Sequence, residues 1–103
     1  VVTHRLVMTE NIVAATVSAL RQAAEQAMDS GATRLQLDLA RVQDLDSVGL
    51  SVLIGISMSL QRAGGALELY NVRDEVFDII HSMRLDKHFQ VHRFPTERDA
   101  TSS

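Results

Sequence analysis

The sequence predicts a single α/β domain in which a mainly parallel sheet of four strands is interleaved with three helices. Three observations predict it. Short alternating apolar runs recur along the chain, Leu35, Leu37 and Leu39 being the clearest, and each is followed by a longer segment with helical spacing. The resulting order of strand, helix, strand, helix, strand, helix, strand is that of parallel strands joined by right-handed crossovers. A length of 103 residues with 46% apolar content suits one core and leaves little room for a second.

Residues 1–8 are rich in β-branched side chains and read as the first strand, His4 and Arg5 giving it an edge or partly exposed character. Asn11 is placed to cap the next element. From Val13, apolar side chains return at Val17, Leu20, Ala24, Ala27 and Met28, while Arg21, Gln22, Glu25 and Gln26 fall largely on the other side, so this segment is an amphipathic helix. Gly31 stops it where a left-handed backbone suits glycine. In the second strand Gln36 and Asp38 alternate with the three leucines, whose face a helix has to cover.

That cover is the second helix, beginning near Ser47. Projected at about 100° per residue, Gly49, Val52, Leu53, Ile56 and Leu60 share the side that packs on the sheet. Gly49 reads as glycine because the helix start approaches another segment closely, or because the first turn is flexible. Ala63-Gly64-Gly65 turns the chain into a third strand at residues 66–70. Asn71 is placed to cap a third helix with the stripe Val72, Val76, Ile79, Ile80 and Met83, and Leu85, Phe89 and Val91 lead into a last strand at 89–93. The domain is expected to span 1–95, followed by a polar tail at 96–103, with no internal repeat or linker.

Composition excludes several classes of function. A formal charge of −3 gives no sustained basic surface for nucleic acid. Without cysteine there is no disulfide framework, thiolate metal site or thiol nucleophile, which fits a reducing compartment. No signal peptide or membrane-spanning run is visible, so a cytoplasmic protein without membrane insertion is expected.

The stretch from Leu37 to Leu53 carries the chemistry. A strand ends at Leu39, a polar connection follows, and a helix opens on Asp46-Ser47-Val48-Gly49-Leu50. A helix mouth gathers unpaired backbone N–H groups and the positive end of the helix dipole, and a phosphate on Ser47 would be stabilised there. Ser47 is therefore the candidate phosphorylation site; the plainer reading is an N-terminal cap with no further role. On the outward side of the same projection Ser47, Ser51, Ile54, Met58 and Arg62 line up, with Leu50 and Gly55 at the margins. Ile54 and Met58 would form an apolar outward patch beside a modifiable hydroxyl, and Ser51, Ile54, Met58 and Arg62 are the candidate partner-binding residues.

Asp38-Leu39 followed by Asp46-Ser47-Val48-Gly49-Leu50 resembles the signature of the STAS family, the bacterial anti-sigma factor antagonists and their relatives. The resemblance runs from about Arg5 to Phe94, and Leu85-Asp86-Lys87-His88-Phe89 is similar to the family's closing segment. It implies a compact βα superhelix with neighbouring strands in sequence order. It also implies a non-enzymatic module that binds an anti-sigma factor with a kinase fold, frees a sigma factor, and is phosphorylated by that partner on the residue matching Ser47, with Asp46, Gly49 and Leu50 supporting the site. ATP then belongs to the partner, the domain needs no cofactor, and a phosphatase resets the switch. The chain departs from the family's usual pattern by an N-terminal edge strand either missing or additional, by a tail shorter than the family's closing helix, and by Arg84 where many relatives have glycine.

Other chemistries fit less well. Leu45-Asp46-Ser47-Val48-Gly49 has Asp where a nucleophile elbow needs its first glycine, and no histidine is spaced to serve Ser47 as a base. His81, His88 and His92 lack a carboxylate or thiolate to complete a metal set, and in the strand at 89–93 His88 and His92 would alternate with core residues as solvated side chains. Gly64 and Gly65 sit in no phosphate-binding pattern. The contrasting function, from a different class, is a constitutive scaffold or accessory subunit of a signalling or transporter complex in which Ser47 is never phosphorylated. Self-association is left open.

Overall fold

In the computed structural model, which describes residues 2–94, seven elements follow in the expected order. They are β1 (Thr3–Val7), α1 (Val17–Asp29), β2 (Arg34–Asp38), α2 (Ser47–Arg62), β3 (Ala66–Val72), α3 (Asp74–Ser82) and β4 (Gln90–Arg93). Residue 1 and the boundary between a domain at 1–95 and a tail at 96–103 lie outside the described residues.

The strands form one sheet in the order β1-β2-β3-β4, every pair parallel. Register explains why the alternation matters. Leu6 pairs with Leu37, Leu37 with Leu69 and Leu69 with Val91, so one row of apolar side chains crosses all four strands. One residue earlier, Arg5, Gln36, Glu68 and Gln90 form an equivalent polar row on the opposite face. The core lies against the apolar face: Leu35, Leu37, Leu39, Leu67 and Leu69 pack with Leu20 and Ala24 of α1, Leu53, Ile56 and Leu60 of α2, and Val76 and Ile80 of α3.

The polar face satisfies itself. Glu68, only 4% exposed, accepts from Gln36 Nε2 and from the Tyr70 hydroxyl, both at 3.0 Å, and pairs with Arg34 at 3.1 Å. Burial, and then donation of its proton to Glu68, raise the Tyr70 phenol above its ordinary value. His92 stacks on Tyr70 with ring centroids 4.4 Å apart.

Several boundaries differ from the sequence expectation. α1 begins at Val17 rather than at Val13, after a turn in which Thr16 Oγ1 donates to Asn11 O at 2.5 Å and accepts from Val13 N at 3.1 Å. Asn11 does not cap it. β3 runs on to Val72, which is wholly buried as a strand residue instead of opening the stripe of α3. Asn71 likewise caps nothing; it takes a left-handed φ of 54° and α3 starts from Arg73. Met83 lies beyond the last turn of α3 and is exposed. β4 starts at Gln90, so His88 precedes it and does not alternate with His92 along a strand; His92 is partly covered by its stack on Tyr70. Arg84 adopts φ 58°, the conformation that favours glycine at this turn.

Candidate functional site

The site is assembled where three connections meet at one end of the sheet. β2 ends at Asp38, and the segment through residue 46 carries the chain to the mouth of α2. Asp46 is the N-cap: its backbone is extended, and its Oδ1 accepts from Gly49 N at 2.8 Å. The capping role of this dipeptide therefore falls to the aspartate. Its second oxygen, Oδ2, accepts from Ala14 N at 2.9 Å, tying the β1–α1 connection to the same carboxylate. The N–H of Gly49, and next that of Ala14, hold the Asp46 carboxyl below its ordinary value.

Ser47 is the first residue of α2 and is exposed. Among the described residues its hydroxyl has no hydrogen-bond partner. The hydroxyl is left free at a helix end whose first backbone N–H groups lack intrahelical acceptors.

A strap formed by the β1–α1 connection holds the mouth in place, and sequence reasoning did not find it. Asn11 Oδ1 accepts from Gln43 N at 2.8 Å and from Asp44 N at 3.2 Å, Ile12 N donates to Asp44 O at 3.2 Å, and Asp46 N donates to Ile12 O at 3.3 Å. Ile12 and Leu45 form an isolated parallel bridge between the two connections. The backbone of α2 comes so close that a Cβ on Gly49 would lie 2.1 Å from Ile12 O, which decides between the two readings of this glycine in favour of close approach. The signal available in the sequence was an asparagine before the short apolar run Ile12-Val13-Ala14-Ala15, too short a pattern to indicate a partner some thirty residues away.

Of the other residues singled out, Ser51 and Arg62 are exposed, Met58 is 46% exposed and Ile54 is partly buried against the core. They share a ridge with Ser47. Leu50 does not belong at its margin: it is buried in the core, because at its angle around the helix it lies beside Leu53 and Ser57. It can support the mouth only from beneath. Ser57, which the projection did not single out, is 1% exposed and donates to His88 O at 2.8 Å, pinning the segment before β4 to α2. Beside the ridge, a groove of about 350 Å³ separates α1 from α2, with Arg21, Glu25 and Met28 on one wall and Val48, Ser51 and Gly55 on the other.

Among the described residues no group of three histidines, cysteines or acidic residues is close enough to hold a metal ion, and His81 sits 3.2 Å from Asp86. No helix among the described residues is long and apolar enough to cross a membrane.

A family model described as "Mlab, STAS domain" matches residues 2–93. No curated protein matches the chain. Solved structures do: the solution structure of the protein TM1081 is similar over 96% of this chain and 80% of that one, with 18% identity and a TM-score of 0.78. A crystal structure of TM1081 from Thermotoga maritima, described as a candidate anti-sigma factor antagonist, matches over 95% of this chain and 85% of that one, with 18% identity and a TM-score of 0.83. The murine anion transporter Slc26a9, in its inward-facing state, matches over 97% of this chain but 17% of its own, with 20% identity and a TM-score of 0.74.

Proposed function

Because the chain belongs to the STAS domain family, we propose that it is a regulatory protein-interaction module of the anti-sigma factor antagonist type, switched by phosphorylation of Ser47. The observation that carries this is the division of labour at the α2 mouth: Asp46 satisfies the helix end and leaves the Ser47 hydroxyl exposed and unengaged. A serine needed only as a cap would be occupied.

In this reading the unmodified domain docks through the ridge of Ser51, Ile54, Met58 and Arg62, with Gly49 and Leu50 fixing the mouth from behind. The partner is an anti-sigma factor or related serine kinase, which supplies ATP; Ser47 Oγ attacks the γ-phosphorus, loses its proton, and ADP departs. Phosphate adds about −1.5 to −2 charges between Asp46 and the nearby Asp44, so repulsion and desolvation turn a matched surface into a mismatched one without refolding. A phosphatase hydrolyses the ester and resets the module. The domain itself is not an enzyme and binds no cofactor, and it works in the cytoplasm.

The test is phosphopeptide mapping of the protein from its own cells under growth and stress, followed by partner capture. Condition-dependent phosphate on Ser47, with capture lost in Ser47→Asp and weakened in a folded Met58→Glu, is expected. Phosphate absent under every condition moves the assignment to the second reading, a constitutive accessory subunit. That reading is favoured by the occurrence of the same fold as a part of Slc26a9, and it expects a transporter or signalling assembly to be captured equally by wild type and Ser47→Ala.

A further inference from the structure

We infer that Asp38, Asn71 and Arg73 form a clamp that positions Ser47 by gripping the first peptide of the connection leading to it; the inference rests on the reading of Ser47 as a phosphoryl acceptor. The grip is on Ala40. Its N–H donates to Asp38 Oδ1 at 3.0 Å and its carbonyl accepts from Arg73 Nε, so both backbone polar atoms are held by side chains from different elements. Asn71 Nδ2 donates to the same Asp38 oxygen at 3.2 Å, and Arg5 holds the other oxygen at 3.1 Å. One carboxylate thereby joins β1, the end of β2 and the end of β3.

Two features mark the arrangement as more than a tidy strand end. Asn71 is one of two non-glycine residues with positive φ among the described residues, and asparagine in that conformation aims its amide back at Asp38. The Arg73 guanidinium lies 4.5 Å from the Phe94 ring, which fixes the side chain that grips Ala40 O. Burial pushes the Asp38 carboxyl up, but donation from Ala40, Asn71 and Arg5 outweighs it and holds the group below its ordinary value, so it is an acceptor throughout the physiological range.

There is little slack between this clamp and the strap. Ala40 is held at one end and Gln43 N and Asp44 N at the other, and Val42 N donates to Leu39 O at 3.0 Å across the turn between them. A shift at Ala40 is passed to the strap and so to Asp46 and Ser47. Asp38, Asn71 and Arg73 act on the acceptor through the backbone that they hold at Ala40.

The experiment compares Arg73→Ala, Arg73→Lys and Asn71→Gly with wild type in the full chain. Glycine at 71 keeps the left-handed backbone and removes the side chain that holds Asp38, so this variant separates the clamp from strain. The readouts are hydrogen exchange at residues 41–47, Ser47 phosphate occupancy in the protein's own cells, and the melting temperature. The inference expects exchange to rise about tenfold, the scale of one lost charged hydrogen bond, and occupancy to fall in Arg73→Ala and Asn71→Gly while distant strand amides stay protected. Arg73→Lys, which still donates to Ala40 O, restores both. Unchanged exchange, or raised exchange with wild-type occupancy, overturns the clamp. Phosphate absent from the wild type under every condition overturns the underlying reading, and the positioning role with it.

Discussion

Gly49 and Gly55 lie in the same helix, and alanine at the two positions is expected to shift stability in opposite directions. At Gly49 the added methyl would lie 2.1 Å from Ile12 O and 2.9 Å from Ile12 C, and no side-chain rotation relieves a contact with backbone. The mouth of α2 and the strap must part by roughly 1 Å, a strain of the kind that overpacking imposes. That separation falls on the bonds from Asp46 N to Ile12 O, now 3.3 Å, and from Ala14 N to Asp46 Oδ2, now 2.9 Å. Overpacking costs about 1–3 kcal/mol, occasionally more, and the weakened strap adds to it, against about 1 kcal/mol gained from the better helix former. A net loss of about 2–4 kcal/mol lowers the melting temperature of a domain this size by about 10–20 °C. At Gly55 a Cβ meets nothing within 4 Å, and only the helix-propensity gain of about 0.5–1 kcal/mol remains. Thermal and urea unfolding followed by circular dichroism measure both. Gly49→Ala melting within about 2 °C of wild type would refute the close approach on which the geometry of the Ser47 mouth depends.

Three further outcomes follow from contacts already described. Arg84→Gly removes a side chain from a left-handed turn and is expected to raise stability by about 1 kcal/mol in urea titration; a loss would mean that the Arg84 side chain contributes more than its backbone costs. Ser57→Ala removes the buried hydroxyl that donates to His88 O and is expected to cost about 1–2 kcal/mol, with exchange rising at residues 83–89 before it rises in β3. The Asp38 and Asp46 carboxyls both titrate below their ordinary value in the folded state, so the stability they contribute is complete above the unfolded carboxylate pKa of about 4 and is lost as pH falls through their lower folded values. Asp38→Asn combined with Asp46→Asn should flatten that acid limb in urea midpoints measured from pH 6 to pH 3; an unchanged slope would place the acid sensitivity elsewhere.

The fold was legible because its main signals are periodic. Leu35, Leu37 and Leu39 fixed a strand and its buried face, Gly31 marked a helix stop and indeed takes φ 100°, and the apolar arc of α2 specified which side meets the sheet. What escaped the sequence was governed by partners distant along the chain. Asn11 and Asn71 have the composition of local caps, yet their amides are engaged by Gln43, Asp44 and Asp38. Leu50 and Ser57 show that a helical projection gives direction but not depth: Leu50 is buried in the core, and Ser57 is held beneath the segment around His88. Nothing in the third strand's own sequence marked Glu68 as buried; the crowding of Arg34, Gln36 and Tyr70 over it depends on register across strands. At the site, the helix mouth was readable from Asp46-Ser47-Val48-Gly49, whereas the strap beneath it was not.

The uninterrupted strand order carries a consequence for what this domain can recognise. In open α/β sheets, small-ligand crevices form at a topological switch point, where the order of strands reverses and two neighbouring loops diverge. A sheet that counts 1-2-3-4 from edge to edge never reverses. Its connections lean the same way along the rim, each tied to the next, as Asp46 is to Ala14 and Arg73 to Ala40. Such a rim offers a continuous relief in place of a cleft, and relief is read by a surface of comparable size.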